Sequence, residues 1–375
     1  MLATALFNRQ KFFASFFQKR SLSRPAPHAA TQLATMLGLL AASPALAAPA
    51  TLPGTDYAHP QRLVAIDGAR RLNLFCMGQG APVVMLDSGA GDSTSAWRAV
   101  QPAVSQFTQV CAYDRAGHGW SDPASRTADL ANTVDDLHRL LRAAGLTTPV
   151  IYVGHSIAGL YGVYLQAKYP ADVQAEVLVD PSFAHQQAHM MAALAPAARA
   201  TFTALNVKSA RDQKNCLKLA QAGALTAPKT AAAKACVDIA GYPGTLDAAL
   251  KAEILRQAAS PSINEASLSE YSNFVSADGG SDADDEELDA VKPDFGGKLL
   301  IVLSHGIGFG AIGGLTAAQL APIETAWQAG HDRLAKLSTR GSNTILPGTH
   351  HYIQLDRPDA VIDAVLRAVQ DSRAH

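Results

Sequence analysis

One serine of this chain stands in a context that suits a nucleophile. Ser156 follows the apolar run VIYV at residues 150–153 and lies within GHSIAG at 154–159, and apolar residues resume at helical spacing from Leu160. β-branched and aromatic residues favour a strand buried on both faces. Small neighbours allow the backbone to turn sharply, and the N-terminus of the following helix favours a developing negative charge. The pattern predicts a serine that points into a cleft from a tight turn.

The rest of the chain alternates between segments with the patterns of strands and of helices. Short runs rich in apolar and β-branched residues predict strands at 61–67, 70–77, 83–87, 109–114, 150–153, 175–180, 298–304 and 343–346. Helical spacing predicts helices at 127–144 and 316–337.

A strand, a tight turn and a helix around G-x-S-x-small form the context of a nucleophile elbow. The chain resembles the α/β-hydrolase superfamily here, and again in YDRAGHGWSDP at 113–123, which is similar to the D-x-R-G-x-G-x-S segment of these enzymes. Ala158 replaces the second glycine of the motif, and Gly159 follows it. The resemblance implies a mostly parallel eight-stranded sheet flanked by helices. It also implies a core at 48–180 and 295–375, with a helical cap at 181–294 inserted after the sixth strand.

The resemblance further implies a Ser-Asp-His triad. Ser156 is the expected nucleophile, and His351, which follows the last strand and precedes Tyr352, is the expected general base. The loop after the seventh strand, where many members carry the acid, has no carboxylate before Glu324. Other members carry the acid at the end of the sixth strand, so the resemblance implies Asp180, with Glu324 and Asp332 as alternatives.

Two main-chain amides are expected to form the oxyanion hole. The loop SGAGD at 88–92 follows the third strand, and by resemblance its donor is the N–H of Ala90. The second donor is the N–H of Ile157, directly after the nucleophile.

These residues predict a serine hydrolase that cleaves an ester or related acyl bond of a small molecule through an acyl-enzyme, without metal or organic cofactor. A serine at the elbow argues against the dehalogenase and epoxide-hydrolase chemistries of the same fold. Two alternatives stay open: an aminopeptidase or amidase, and a binding module that has lost turnover. Glycines 308, 310 and 313 match a dinucleotide fingerprint, but they begin several residues after the strand, and a loop is predicted instead.

The N-terminal segment has the order of a secretory signal. Residues 1–47 carry five basic residues and no acid, then an apolar run and an A-x-A site at 45–47. A mitochondrial presequence is the alternative. Without this segment 26 basic and 32 acidic residues remain, a net charge of −6, which argues against nucleic-acid binding. No apolar stretch after residue 47 is long enough to span a bilayer, so a secreted or periplasmic protein of unknown oligomeric state is expected.

Four cysteines follow the predicted signal. In an oxidising compartment their even number favours disulfides. Cys76 and Cys111 would lie on neighbouring strands of the hydrolase sheet, which implies the pairs Cys76–Cys111 and Cys216–Cys236. Four buried thiols are the alternative.

Two charged segments are expected to be structural. Asp114 and Arg115 are predicted to form an ion pair or to brace their loop. The acidic residues between 282 and 289 lack the spacing of an EF-hand, so they predict a solvated loop rather than a calcium site.

Overall fold

The computed structural model describes residues 54–146, 149–239, 242, 245–276 and 282–374. The predicted signal at 1–47 lies outside these residues.

One sheet of eight strands organises the molecule, in the order β1-β2-β4-β3-β5-β6-β7-β8. Its strands are β1 Arg62–Asp67, β2 Arg70–Met77, β3 Val84–Asp87, β4 Val110–Tyr113, β5 Val150–His155, β6 Val173–Val179, β7 Gly296–His305 and β8 Ser338–Leu346. β2 is antiparallel to β1 and β4, and every other pair is parallel. β3, β4 and β5 are buried along their whole length, as their apolar runs predict.

Besides two 3₁₀ helices, Gly54–Tyr57 and Thr94–Trp97, twelve α-helices are described. They are α1 Gln101–Val104, α2 Leu130–Ala143, α3 Ala158–Lys168, α4 Gln186–Ala193, α5 Pro196–Gln221, α6 Ala231–Cys236, α7 Ala248–Ala259, α8 Pro261–Phe274, α9 Ala283–Val291, α10 Ala317–Ala335, α11 Ile353–Asp356 and α12 Pro358–Ala374. One apolar core packs α2, α3 and α10 on one face of the sheet. A second core packs α1 and α12 on the other face. The predicted α/β-hydrolase architecture is confirmed.

The six helices α4 to α9 lie between β6 and β7, in the segment predicted to form the cap. α5 and α8 of this segment pack against each other, and Tyr271 of α8 donates to the carbonyl of Asn206 of α5. The division into core and cap stays a prediction.

The predicted elements differ from the observed ones mainly at their ends. β8 is the largest difference, since it begins at Ser338 rather than at 343. It is an edge strand, and most of its side chains are exposed or half-buried, so it lacks the apolar alternation that marks a strand in sequence. Asp356 ends α11 and accepts hydrogen bonds from His350.

Both predicted disulfides are present. Cys76 and Cys111 are direct partners in the register of β2 and β4. Cys216 of α5 is bonded to Cys236 of α6, and these two residues belong to a small apolar cluster of their own. In the part of the chain that the structure describes, no helix has the length and apolar character needed to cross a membrane.

The expectation of a solvated acidic loop is wrong. Asp282 caps α9, and Asp284 and Asp285 are buried. Asp284 accepts from the N–H of Leu130, and Glu287 accepts from the N–H of Ala131, both in the first turn of α2. Carboxylates stabilise the N-terminus of a helix because its first N–H groups have no partner within the helix. The acidic run therefore joins α9 to α2.

Candidate active site

Ser156 lies in a strained turn at the carboxyl end of β5. Its φ of 58° is in the left-handed region, which a residue with a Cβ rarely adopts. Its N–H donates to the carbonyl of Val179, and its own carbonyl accepts from the N–H groups of Gly159 and Ser182. These bonds tie the turn to the ends of β5 and β6. Strain of this kind is typical of functional positions.

The small residues around Ser156 are required by close contacts. A Cβ at Gly154 would lie 2.6 Å from the carbonyl oxygen of Ala158. A Cβ at Gly159 would lie 2.3 Å from the Cβ of Pro181. Ala158 is thus tolerated in place of the second motif glycine, because the close approach to the segment at Pro181 occurs at Gly159.

Asp180 and His351 are brought together. Asp180 follows the last residue of β6, and its Oδ2 is 2.5 Å from Nδ1 of His351. The ring of His351 is 4.6 Å from that of His155, and the carbonyl of His351 is 3.1 Å from Nε2 of His155. Because His155 directly precedes Ser156, the acid, the imidazole and the serine turn share one edge of the sheet.

The three candidate residues are buried from solvent, and burial affects the pKa values of Asp180 and His351. Ser156 is 2% exposed, Asp180 0% and His351 1%. Burial alone would raise the pKa of Asp180, but the neighbouring His305 and His351 hold it well below its usual range, so Asp180 is an anion. Burial lowers the pKa of His351, against the opposing effect of Asp180, so the ring is neutral and able to accept a proton at neutral pH.

A second histidine, which was not predicted from the sequence, contacts the same carboxylate. His305 ends β7, and its Nδ1 is 2.7 Å and 2.9 Å from the two oxygens of Asp180. Its Nε2 is 3.0 Å from Oε2 of Glu324. The signal available in sequence was its position, because β6 and β7 are parallel neighbours and residues at their carboxyl ends meet.

The two alternative acids have other partners among the described contacts. Glu324 contacts His305 and accepts from Gln328. Asp332 accepts a hydrogen bond from Asn343. Among the described contacts, the carboxylate on His351 is that of Asp180.

Ala90 and Ile157, the residues expected to supply the oxyanion donors, line one narrow cavity. Residues of α5 and α8 also line it, among them Gln213, Tyr271 and Phe274. Ile157 directly precedes α3, so its amide belongs to the N-terminal turn of that helix. The cavity is small, about 20 Å³.

The loop that carries Ala90 is held by Arg115. Its guanidinium donates to Asp87, to the carbonyls of Ser88 and Gly89, and to Glu270 of α8. Arg115 therefore braces its surroundings as predicted, but its partners are Asp87 and Glu270 rather than Asp114. Asp114 instead accepts from Asn73 and from the N–H groups of Thr94 and Trp120.

Comparison with known proteins agrees with this geometry. Residues 81–217, which include the Ala90 loop and the Ser156 turn, match the family described as alpha/beta hydrolase fold. This match covers 137 of the 375 residues, and over it the chain is similar to the α/β-hydrolase family, whose fold its eight-stranded sheet shares.

The names of similar proteins describe different activities. The chain is 36% identical over 102 residues to the "Putative carbamate hydrolase RutD" of Cronobacter turicensis, which is 27% of this chain and 38% of that protein. The chain thus spans less than two fifths of the length of the curated relatives it matches.

Solved structures show the same fold at low identity. The epoxide hydrolase CorEH matches with a TM-score of 0.52 at 20% identity, over 81% of this chain and 96% of that one. A serine hydrolase involved in carbazole degradation, the CarC enzyme, matches with a TM-score of 0.52 at 18% identity, over 82% and 98%. At these identities the likeness of this chain to both is one of fold.

Proposed function

We propose that this protein is a serine hydrolase that cleaves a carboxylic ester, or a related acyl bond, through an acyl-enzyme. The observation that carries the proposal is the contact between Asp180 and Nδ1 of His351, beside the strained turn that presents Ser156. A base oriented by a carboxylate next to an activated hydroxyl is the general arrangement for nucleophilic catalysis.

In this mechanism His351 takes the proton of the Ser156 hydroxyl as its oxygen attacks the acyl carbon. Asp180 holds the ring by its Nδ1–H and stabilises the imidazolium that forms. The amides of Ala90 and Ile157 donate to the oxyanion of the tetrahedral intermediate, and losing one such donor costs roughly 3 kcal/mol of barrier stabilisation. His351 then gives its proton to the leaving group. Water attacks the acyl-enzyme by the same steps in reverse.

Esters, carbamates and amides share this tetrahedral step, so the site geometry admits each. The name of the RutD relative favours a carbamate as the second candidate substrate. The narrow cavity beside Ala90 and Ile157 favours a small acyl group in this conformation. The helices of 181–294 supply the opposite wall, which supports their proposed role as a cap.

We also propose that the protein works outside the cytoplasm. The two disulfides and the basic, apolar and A-x-A segments of residues 1–47 support export. N-terminal sequencing of protein recovered from a periplasmic or culture fraction tests this, with cleavage after Ala47 expected.

A fluorophosphonate probe tests the catalytic proposal. We expect wild-type protein to be labelled covalently and Ser156→Ala to lose labelling completely. Ser272→Ala, an exposed serine of α8, is the matched control and should be labelled like wild type. Folded wild-type protein that resists the probe would instead support the non-catalytic binding module. p-Nitrophenyl esters, aryl carbamates and aminoacyl anilides then separate the substrate classes.

A further inference from the structure

His305 lies in a row of alternating rings and carboxylates that runs through the active site. From one end, the row consists of His351, Asp180, His305 and Glu324. His305 and Asp180 are almost fully buried, whereas the Glu324 side chain is 24% exposed. The row therefore connects the expected base to the edge of the molecule through two ion pairs.

The contacts of His305 determine its charge. An ionised carboxylate only accepts hydrogen bonds, and each ring nitrogen of His305 faces one. Both nitrogens must therefore carry protons, which makes the ring an imidazolium. Burial alone would lower the pKa of His305, but the charge of Asp180 and the hydrogen bonds to Asp180 and Glu324 raise it to about 10.

His305 also fixes the position of Asp180. Its backbone N–H donates to Oδ1 of Asp180 at 3.1 Å, and Nε1 of Trp327 donates to the same oxygen at 3.1 Å. With the His305 ring on one side and His351 on the other, the carboxylate is held by donors from β7, α10 and the loop before α11.

We propose that His305 is a positioning residue for the reaction: as an imidazolium held between Asp180 and Glu324, it fixes the carboxylate that orients His351 and tempers the basicity of that ring. This inference rests on the proposed serine-hydrolase function. The end of the seventh strand, near which many members of the superfamily carry the acid, is thus occupied by the cation His305. This cation supports the acid Asp180 at the end of the sixth strand.

Titratable groups on three elements lie around His305 and contribute to the pH dependence of the proposed reaction. They are Asp180 from the end of β6, Glu324 and His331 from α10, and His351 from the loop before α11. Burial lowers the pKa of His331 to about 4, so that ring is neutral and adds no charge near pH 7. A cation at 305 opposes protonation of His351.

The test measures kcat and KM for p-nitrophenyl acetate against pH. His305→Leu removes the charge and the ring hydrogen bond, so we expect kcat to fall roughly 10- to 100-fold with KM little changed. His305→Asn restores a donor to Asp180 without charge, and should recover much of kcat. In both variants the acid limb of kcat/KM should move to higher pH by roughly one unit, because a neighbouring positive charge is gone.

A histidine paired with a carboxylate elsewhere provides the control. His138 of α2 contacts Asp172 with Nδ1 at 2.5 Å, at the opposite end of β6. His138→Asn should leave the acid limb in place. ¹⁵N spectra of the ring supply a readout independent of turnover: His305 should be doubly protonated at pH 7, and its titration should move to lower pH in Glu324→Gln.

The outcomes separate the two proposals. If wild type is labelled by the fluorophosphonate but the limb and kcat of His305→Leu equal those of wild type, or His305 is neutral at pH 7, the positioning role is wrong and the hydrolase proposal stands. If wild type is neither labelled nor active on any acyl substrate, the hydrolase proposal fails and the role of His305 in it fails as well.

Discussion

Asp180 has an unusual backbone conformation, and several hydrogen-bond donors surround its carboxylate. Its φ is 45°, and its N–H donates to the carbonyl of Leu303 on β7. The left-handed conformation turns the chain out of β6 immediately after Val179, and the carboxylate then faces His305 and His351. A buried carboxylate without such donors would be costly.

This position leads to a prediction for the acid. Asp180→Asn keeps the shape but replaces a charged acceptor by a neutral amide, so His351 loses both its preferred tautomer and the anion that stabilises its protonated form. We expect kcat to fall by about 10⁴. Glu324→Gln, which does not touch His351, should cost less than about tenfold. Steady-state kinetics on a p-nitrophenyl ester measure both, and the reverse order would make Glu324 the acid.

The turn at Ser156 leads to a second prediction at the scale of residues. Gly159→Ala places a methyl against Pro181 and the carbonyl of Ser182, so we expect about 1 to 3 kcal/mol of lost stability. Ala158→Gly is the matched change one position earlier and should cost less than about 1 kcal/mol. Urea unfolding compares the two variants. Equal costs would show that the close approach is not at Gly159.

At the scale of elements, α8 is joined to the sheet by a buried ionic cluster. Glu270 of α8 accepts from Arg115 and from the N–H of Gly91, and its second oxygen is 3.3 Å from Nε2 of His118. Gly91 belongs to the same loop as Ala90. The Glu270 carboxylate thus links α8 to the loop that carries Ala90, both directly and through Arg115.

The charge of Glu270 makes this contact dependent on pH. Burial would raise its pKa, but Arg115 and His118 lower it to about 2. Since the pKa is below that of an unfolded glutamate, the stabilisation is present above about pH 4.5 and is lost as pH falls towards 2.

Glu270→Gln should therefore lower the free energy of unfolding by about 3 kcal/mol at pH 6, because it removes one of the two buried anions that pair with Arg115. The difference from wild type should shrink to roughly 1 kcal/mol at pH 3. Urea unfolding at both pH values measures it. Glu265→Gln, an exposed residue of the same helix, is the control and should show no pH-dependent difference. A constant difference for Glu270→Gln would contradict the lowered pKa.

At the scale of the whole molecule, each disulfide staples a different part of the fold. Cys76–Cys111 joins two strands of the sheet across a separation of 35 residues. Cys216–Cys236 joins two helices of the inserted segment across 20 residues. Loss of each disulfide should therefore destabilise a different part of the fold.

Replacing Cys216 and Cys236 by serine should lower the free energy of unfolding by roughly 3 kcal/mol, the loop-entropy value for a closed loop of this length. Because the pair lies outside the catalytic contacts, fluorophosphonate labelling of the folded variant should persist. Denaturant unfolding and labelling at 25 °C measure the two effects. Unchanged stability would indicate that the helical segment holds together without the staple.

Local pattern determined much of this protein. The apolar runs of β3, β5 and β6 and the small residues around Ser156 specify strand, turn and helix within a few neighbouring positions, so the elbow could be predicted without knowledge of distant residues. The resemblance built on that pattern supplied the fold and both cysteine pairs. The candidate site residues could be named for the same reason, although their roles stay predictions.

Tertiary structure decided the contacts that cross between elements. The edge strand β8 lacks an apolar pattern because much of it is exposed to solvent. The acidic run of α9 has the composition of a solvated loop, and its partners Leu130 and Ala131 are too far away in sequence to be recognised from local pattern. The sequence shows the position of His305 at the end of β7, but not its charge. Its charge depends on two carboxylates brought to it by β6 and α10, and no local sequence encodes that meeting.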